Sequence, residues 1–196
     1  MCTTNRDKLF TDRAKVIKQP LATCCITGNV YNKHDMIKLV ISADKILYFD
    51  FKHKLVGESF FLTNSRSVIT HFLQKGTNEQ NFSDLGNTHL VDNIAQTYLT
   101  QMLSIISLAK KSGNIILGKE KISHSLQKAG IMVQARDASF RERFSKNYTM
   151  TICDIFDIAE LSRACGKDNV RYLLITNQMA ESFKNFYDKY NCYLIG

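Results

Sequence analysis

The residues with the clearest chemical potential are cations. Between Lys110 and Lys146 the chain places Lys110, Lys111, Lys119, Lys121, Lys128, Arg136, Arg141, Arg143 and Lys146 against only Glu120, Asp137 and Glu142. Their positions matter more than their number. Lys110-Lys111 close an apolar helical run, Lys119 to Lys121 follow Gly118, and Arg136 to Arg143 straddle a strand end and a helix start. Such turns can fall along one edge of an αβα sandwich, where free backbone amides and cationic side chains converge on phosphate. The competing interpretation is a solvated basic face.

Other chemistries have weaker support. Cys24-Cys25 with His34 or His53 as base would make a nucleophile, since a thiolate needs a basic or positive neighbour at neutral pH. No further motif accompanies the pair, and cysteine is among the most often buried residues, so catalysis is not expected. The six cysteines form no Cys-x-x-Cys pair, and His34, His53, His71, His89 and His124 lack ligand spacing. Neither a metal nor a cofactor is therefore expected. Phe60, Phe61, Tyr148 and Tyr172 could stack on unpaired bases, although alternation within short strands also suits core packing.

The elements that must position these residues follow from apolar periodicity. The chain has 196 residues with a formal net charge of +8, which fits one domain or two small ones and favours polyanionic partners. Residues 76 to 93 are mostly polar turn formers, and a linker over 76–96 divides residues 1–75, including an N-terminal extension 1–21, from 97–196. In the second part, Leu99, Met102, Leu103, Ile106 and Ala109 predict a helix ending at Lys110-Lys111-Ser112-Gly113. Alternation then continues. Strands are predicted at 115–117, 131–135, 149–153 and 170–176. Helices are predicted after Gly118, after Ser139 with Glu142, after Asp157 with Glu160, and over 178–190. This is an α/β chain whose second part is a three-layer αβα sandwich.

The first part is predicted to be a small α+β domain. Cys24 to Thr27 reads as a strand ended by Gly28-Asn29, and 36–42 and 45–50 as a hairpin. Phe60 to Leu62 adds a strand, and Asn64 or Ser65 caps a helix through Val68, Ile69, Phe72 and Leu73. So small a core is expected to lean on the second domain or on an RNA. No apolar run has the length of a signal or a spanning helix, and with scattered thiols this gives the expectation of a cytoplasmic protein without membrane partners.

Four stretches in order, Ile106 to Gly113, Leu117 to Glu120, Ala135 to Ser139 and Glu160 to Lys167, resemble the kink-turn-binding ribosomal protein family in its bacterial YlxQ-like branch. The similarity spans residues 99–180. It implies an αβα sandwich that binds folded RNA around Gly118, Lys119, Glu120 and Lys121. Where kink-turn binders carry Asn-Glu, this chain has Glu120 and Lys121, which removes an amide donor but leaves a carboxylate for a base edge and an ammonium for a phosphate.

Residues 22–75 are similar to the YlxR family through Thr23 to Gly28, Asp35 to Val40, Asp50 and Gly57 to Leu62. That family comprises small bacterial α+β RNA-binding proteins associated with ribonuclease P RNA, and its fusion to a YlxQ-like domain is an alphaproteobacterial pattern. Three of its Arg positions here hold Ala22, Lys38 and Glu58, so phosphate contact at that patch is expected to be reduced. Lys33, Lys38 and Lys54, with Lys52, keep it positive.

The resulting expectation is a monomeric, non-enzymatic bacterial RNA-binding protein acting on structured RNA of the ribosomal or ribonuclease P class. Lys110, Lys111, Lys119, Lys121, Arg136, Arg141 and Arg143 would neutralise phosphates, Gly118 would let the backbone approach, and Glu120 would meet a base edge. The alternative is a protein-interaction module that docks on ribosomal or transcription and translation factors.

Overall fold

The computed structural model describes residues 20–43, 46–76, 89–125, 130–139 and 152–196. The fold is mixed α/β, with two hydrophobic cores that share helices. The predicted linker centre, the segment holding Lys128, the segment holding Arg141, Arg143, Lys146 and Tyr148, and nearly all of the N-terminal extension lie outside the described residues, as does the helix predicted after Ser139.

The first unit is built on strand β3 (Met36–Ile41), which lies between β4 (Leu47–Phe49) and β5 (Ser59–Thr63), antiparallel to both. Consecutive residues Met36 to Val40 are all buried, as expected of a central strand covered on both faces. The predicted hairpin and third strand are therefore present. A separate two-stranded ribbon joins β1 (Leu21–Thr23) to β2 (Val30–Asn32). The strand expected at Cys24 to Thr27 is instead the turn of this ribbon. The Cys24 amide donates to Asn29 O at 2.8 Å and the Gly28 amide to Cys24 O at 2.9 Å, while Gly28 adopts φ +72°. β propensity at Cys24-Cys25-Ile26 yields to the tight reversal that Gly28 allows.

Helix α1 (Arg66–Lys75) starts at Ser65, whose hydroxyl accepts the Val68 amide at 3.2 Å, and buries Ile69 and Phe72. Helix α2 (Leu90–Lys111) begins inside the predicted linker, because the stripe Leu90, Ile94, Tyr98 continues the i, i+4 spacing of Met102, Ile106 and Ala109. It ends in a Schellman turn. The Asn114 amide reaches Ala109 O at 2.8 Å and the Gly113 amide reaches Lys110 O at 3.4 Å, with Gly113 at φ +73°.

The second unit is a sheet ordered β6 (Ile115–Leu117), β9 (Tyr172–Thr176), β7 (Gly130–Gln134), β8 (Ile152–Cys153). β9 is antiparallel to both neighbours, and β7 and β8 are parallel. Helices α2, α4 (Ile158–Cys165) and α5 (Asn177–Ile195) cover the face carrying Ile131, Val133, Leu173 and Ile175. Short α3 (Lys119–Ser123) covers the other through Ile122 against Met132 and Leu174. The predicted box at Asp157 and Glu160 forms in both directions, at 2.7 and 2.9 Å.

The cores meet along α2 and α5. Leu90, Ile94 and Tyr98 from the first half of α2 and Tyr193 from α5 belong to the core of the first unit; Met102, Ile106 and Ala109 belong to that of the second. Tyr98 Oη donates to Asn64 Oδ1 at 3.1 Å, and Asn64 Nδ2 to Lys189 O at 2.8 Å. The small first core leans on the second unit, as its size required.

Candidate nucleic-acid interface

The sheet register determines which predicted residues meet. Leu117 pairs with Leu173 and Gln134 with Tyr172, so the exits of β6 and β7 and the entry of β9 share one end of the sheet. The Ala135 amide donates to Arg171 O at 2.7 Å across that end. An open groove of about 480 Å³ lies there, lined by Gly118 and Lys119 on one side and by residues 167–172 on the other.

Each wall has a local cause. Gly118 adopts φ +95°, and a Cβ there would meet nothing within 4 Å, so the constraint is conformational and the exposed backbone stays open to a ligand. Ile122 anchors α3 to the sheet, leaving Lys119, Glu120 and Lys121 exposed. On the opposite wall, α4 ends at Gly166 with φ +60°. The Lys167 amide then returns to Ser162 O at 3.1 Å and the Val170 amide to Ser162 Oγ at 3.0 Å. Asn169 takes φ +55° and its Oδ1 accepts from Arg171 Nε at 3.1 Å, which aims the guanidinium. Lys167 and Arg171 thus face Lys119 across the groove, with Asp168 as the one acidic lining residue, and Tyr172 supplies a half-buried ring.

Not every predicted cation belongs here. Lys110 and Lys111 precede β6 and sit at the opposite end of the sheet, where Asn114 O accepts the Thr176 amide at 3.0 Å and Asn114 Oδ1 accepts Asn177 Nδ2 at 2.8 Å. Burial drives the Cys165 thiol up, against the pull of nearby Lys110 and Lys167. Arg136 is at the groove end, but Nη2 reaches Asp157 Oδ2 at 3.3 Å and Nη1 Ile155 O at 3.5 Å, tying the exit of β7 to the start of α4. Arg141 and Arg143 lie outside the described residues. Lys167, Asn169 and Arg171 were missed because Lys167-Asp168-Asn169 reads as an ordinary mixed-charge turn.

In the first unit the expected basic patch is divided. Lys38 is a core residue: its Nζ reaches Asp50 Oδ2 at 2.8 Å and Leu55 O at 2.9 Å, so it is no phosphate contact. Burial alone would raise the Asp50 carboxyl, but the Lys38 ammonium and the Lys54 and Leu55 amides hold it below the ordinary carboxylate range. Lys33 Nζ lies 5.3 Å from the Phe61 ring centroid, and Lys54 is exposed. Phe60 packs on Phe72, with centroids 5.3 Å apart. Cys24 Sγ accepts the Thr63 and Thr27 amides at 3.3 and 3.5 Å; these offset burial and bring its thiol to about 7.

Among the described residues no group of three His, Cys, Asp or Glu side chains is arranged to hold a metal, and no helix is long and apolar enough to cross a membrane. No protein-family model matches the chain, and no curated protein is similar to it. One similar solved structure is that of a protein with unknown function from Bacillus halodurans. It is 17% identical with a TM-score of 0.41, and covers 44% of this chain and 96% of its own.

Proposed function

We propose that this is a non-enzymatic RNA-binding protein that holds structured RNA at the Gly118 end of its mixed sheet. The observation that carries this reading is the convergence of Lys119, Lys167 and Arg171, from two chain segments, on one open groove beside Asn169 and Tyr172. Cations spaced around an open surface suit a phosphate backbone, and an amide and a ring suit unpaired bases. The resemblance of residues 22–75 and 99–180 to the YlxR and YlxQ-like families supports the same reading, and with it the ribosomal or ribonuclease P class of RNA.

The test is a titration of structured RNA against Lys119→Glu and Lys167→Glu at several salt concentrations. Each lost phosphate contact is expected to flatten the slope of log K against log salt by about 0.9. Unchanged affinity and slope in both variants would overturn the reading.

A second reading, docking on a protein, is favoured by apolar side chains left exposed on the first unit, including Leu55, Tyr48, Ile46 and a fully open Val56. Nuclease-resistant capture of a partner that is lost on Val56→Asp and Tyr48→Glu, with RNA affinity intact, would establish it.

A further inference from the structure

The seam between the two units holds a second cavity, of about 170 Å³, which shares no lining residue with the groove and is contributed by both units. Its walls are aromatic: Phe49 and Phe51 from the first unit, Tyr98 from α2 and Phe186 from α5. Phe51 and Phe186 lie 5.5 Å apart, centroid to centroid, and Phe51 meets Tyr98 edge-on at 6.2 Å. The rim is basic. Lys52 is exposed and makes no ion pair among the described residues, while Lys189 is anchored to His34 O at 2.6 Å with Asp35 3.7 Å away. The imidazoles of His34 and His53 lie 6.1 Å apart with planes within 9° of parallel.

Three features together select a ligand. The volume admits one flat ring system and is well below that of cofactor-sized pockets, typically about 300–1,000 Å³. Aromatic walls reward a planar π system over an aliphatic one. Lys52 at the rim, exposed and making no ion pair among the described residues, offers a cation to an anion next to that ring, while Lys189 already serves His34 O and Asp35.

We propose that this seam is a nucleotide site, which takes a nucleobase against its aromatic lining and its phosphate at Lys52 on the rim. This rests on the RNA-binding reading only for where the nucleotide comes from. A free nucleotide and an unpaired nucleotide within an RNA strand present the same chemistry. The site places a flipped-out base at the junction of the units, so that only the assembled chain can bind it.

The experiment follows the imidazole NMR resonances of the full chain during titration with adenosine 5′-monophosphate, ribose 5-phosphate and a short single-stranded oligoadenylate. Adenosine monophosphate is expected to shift the His34 and His53 signals, and ribose 5-phosphate is not. Lys52→Glu, an exposed change, is expected to weaken the nucleotide several-fold. Phe186→Leu is expected to weaken it about tenfold, the effect of losing one stacking partner. Oligoadenylate binding much tighter than the mononucleotide identifies a strand as the source; equal affinity identifies the free nucleotide. No shift with either, or equal shifts with ribose 5-phosphate, overturns the proposal. Repeating the titration in the Lys119→Glu variant separates the two sites: a groove that proves not to bind RNA leaves the imidazole shifts in place.

Discussion

Lys38 Nζ and Asp50 Oδ2 lie 2.8 Å apart in the centre of the first unit, with side chains 11% and 3% exposed. Asp50 also accepts the Lys54 and Leu55 amides, each at 2.9 Å, so one carboxylate holds the loop that covers β3. Lys38→Met should lower stability in urea unfolding by about 3–5 kcal/mol, the usual cost of stranding a buried charge. Adding Asp50→Leu should not restore it, because the two amides then lose their acceptor.

The same carboxyl sets an acid limit. Its folded pKa is depressed, so its stabilisation is complete above the ordinary Asp value of about 3.9 and fades as pH falls through the lower folded value. In Asp50→Asn, stability measured from pH 6 downward should start lower and fall less steeply in acid. An acid limb of unchanged steepness would contradict this.

The shared core predicts joint unfolding. Ile94→Ala should cost about 2–5 kcal/mol and leave a single transition, with probes in both units moving together. A fragment of residues 20–76, without Leu90, Ile94, Tyr98 and Tyr193, should give a collapsed amide NMR spectrum. Two separate transitions would show that the units fold independently.

Gly130 tests the start of β7, where it pairs with Thr176 at the end of β9. A Cβ there would lie 2.4 Å from Ile175 O, a backbone atom of the paired strand. Gly130→Ala should therefore destabilise by about 1–3 kcal/mol, as overpacking does, and weaken amide protection along β7 and β9.

The thiols should order themselves by environment under alkylation read by mass spectrometry. Burial pushes Cys153 up to about 12, so it should react only on unfolding. Cys25 is exposed, but partial burial, with the adjacent Cys24 charge, raises it to about 11; its labelling should lag that of exposed Cys192 near neutral pH and accelerate as pH rises.

What the sequence made legible was local. The hairpin over β3 and β4, the Ser65 and Asp157 caps and the apolar stripe of α2 all depend on spacing within one turn or one strand. The misreadings were tertiary. Nothing in Met36 to Ile41 reveals that the loop from Asp50 to Gly57 closes over Lys38, so a cation in a strand reads as surface charge. Lys110 and Lys119 are near neighbours in sequence, yet β6 runs between them and sends them to opposite ends of the sheet. Lys167 and Arg171 join Lys119 only because β9 inserts beside β6, a pairing that no spacing within residues 166–172 encodes.

The single stripe of α2 from Leu90 to Ala109 also sets an angular reference. A residue inserted between Tyr98 and Met102 would turn everything before it by about 100° relative to everything after it, and no adjustment of side chains could seat both halves again. Seven inserted residues would restore the phase to within about 20° while lengthening the rod by about 10 Å. The bearing of one unit on the other is thus counted in whole residues, and along this helix evolution could change the chain's length only in multiples of near-complete turns.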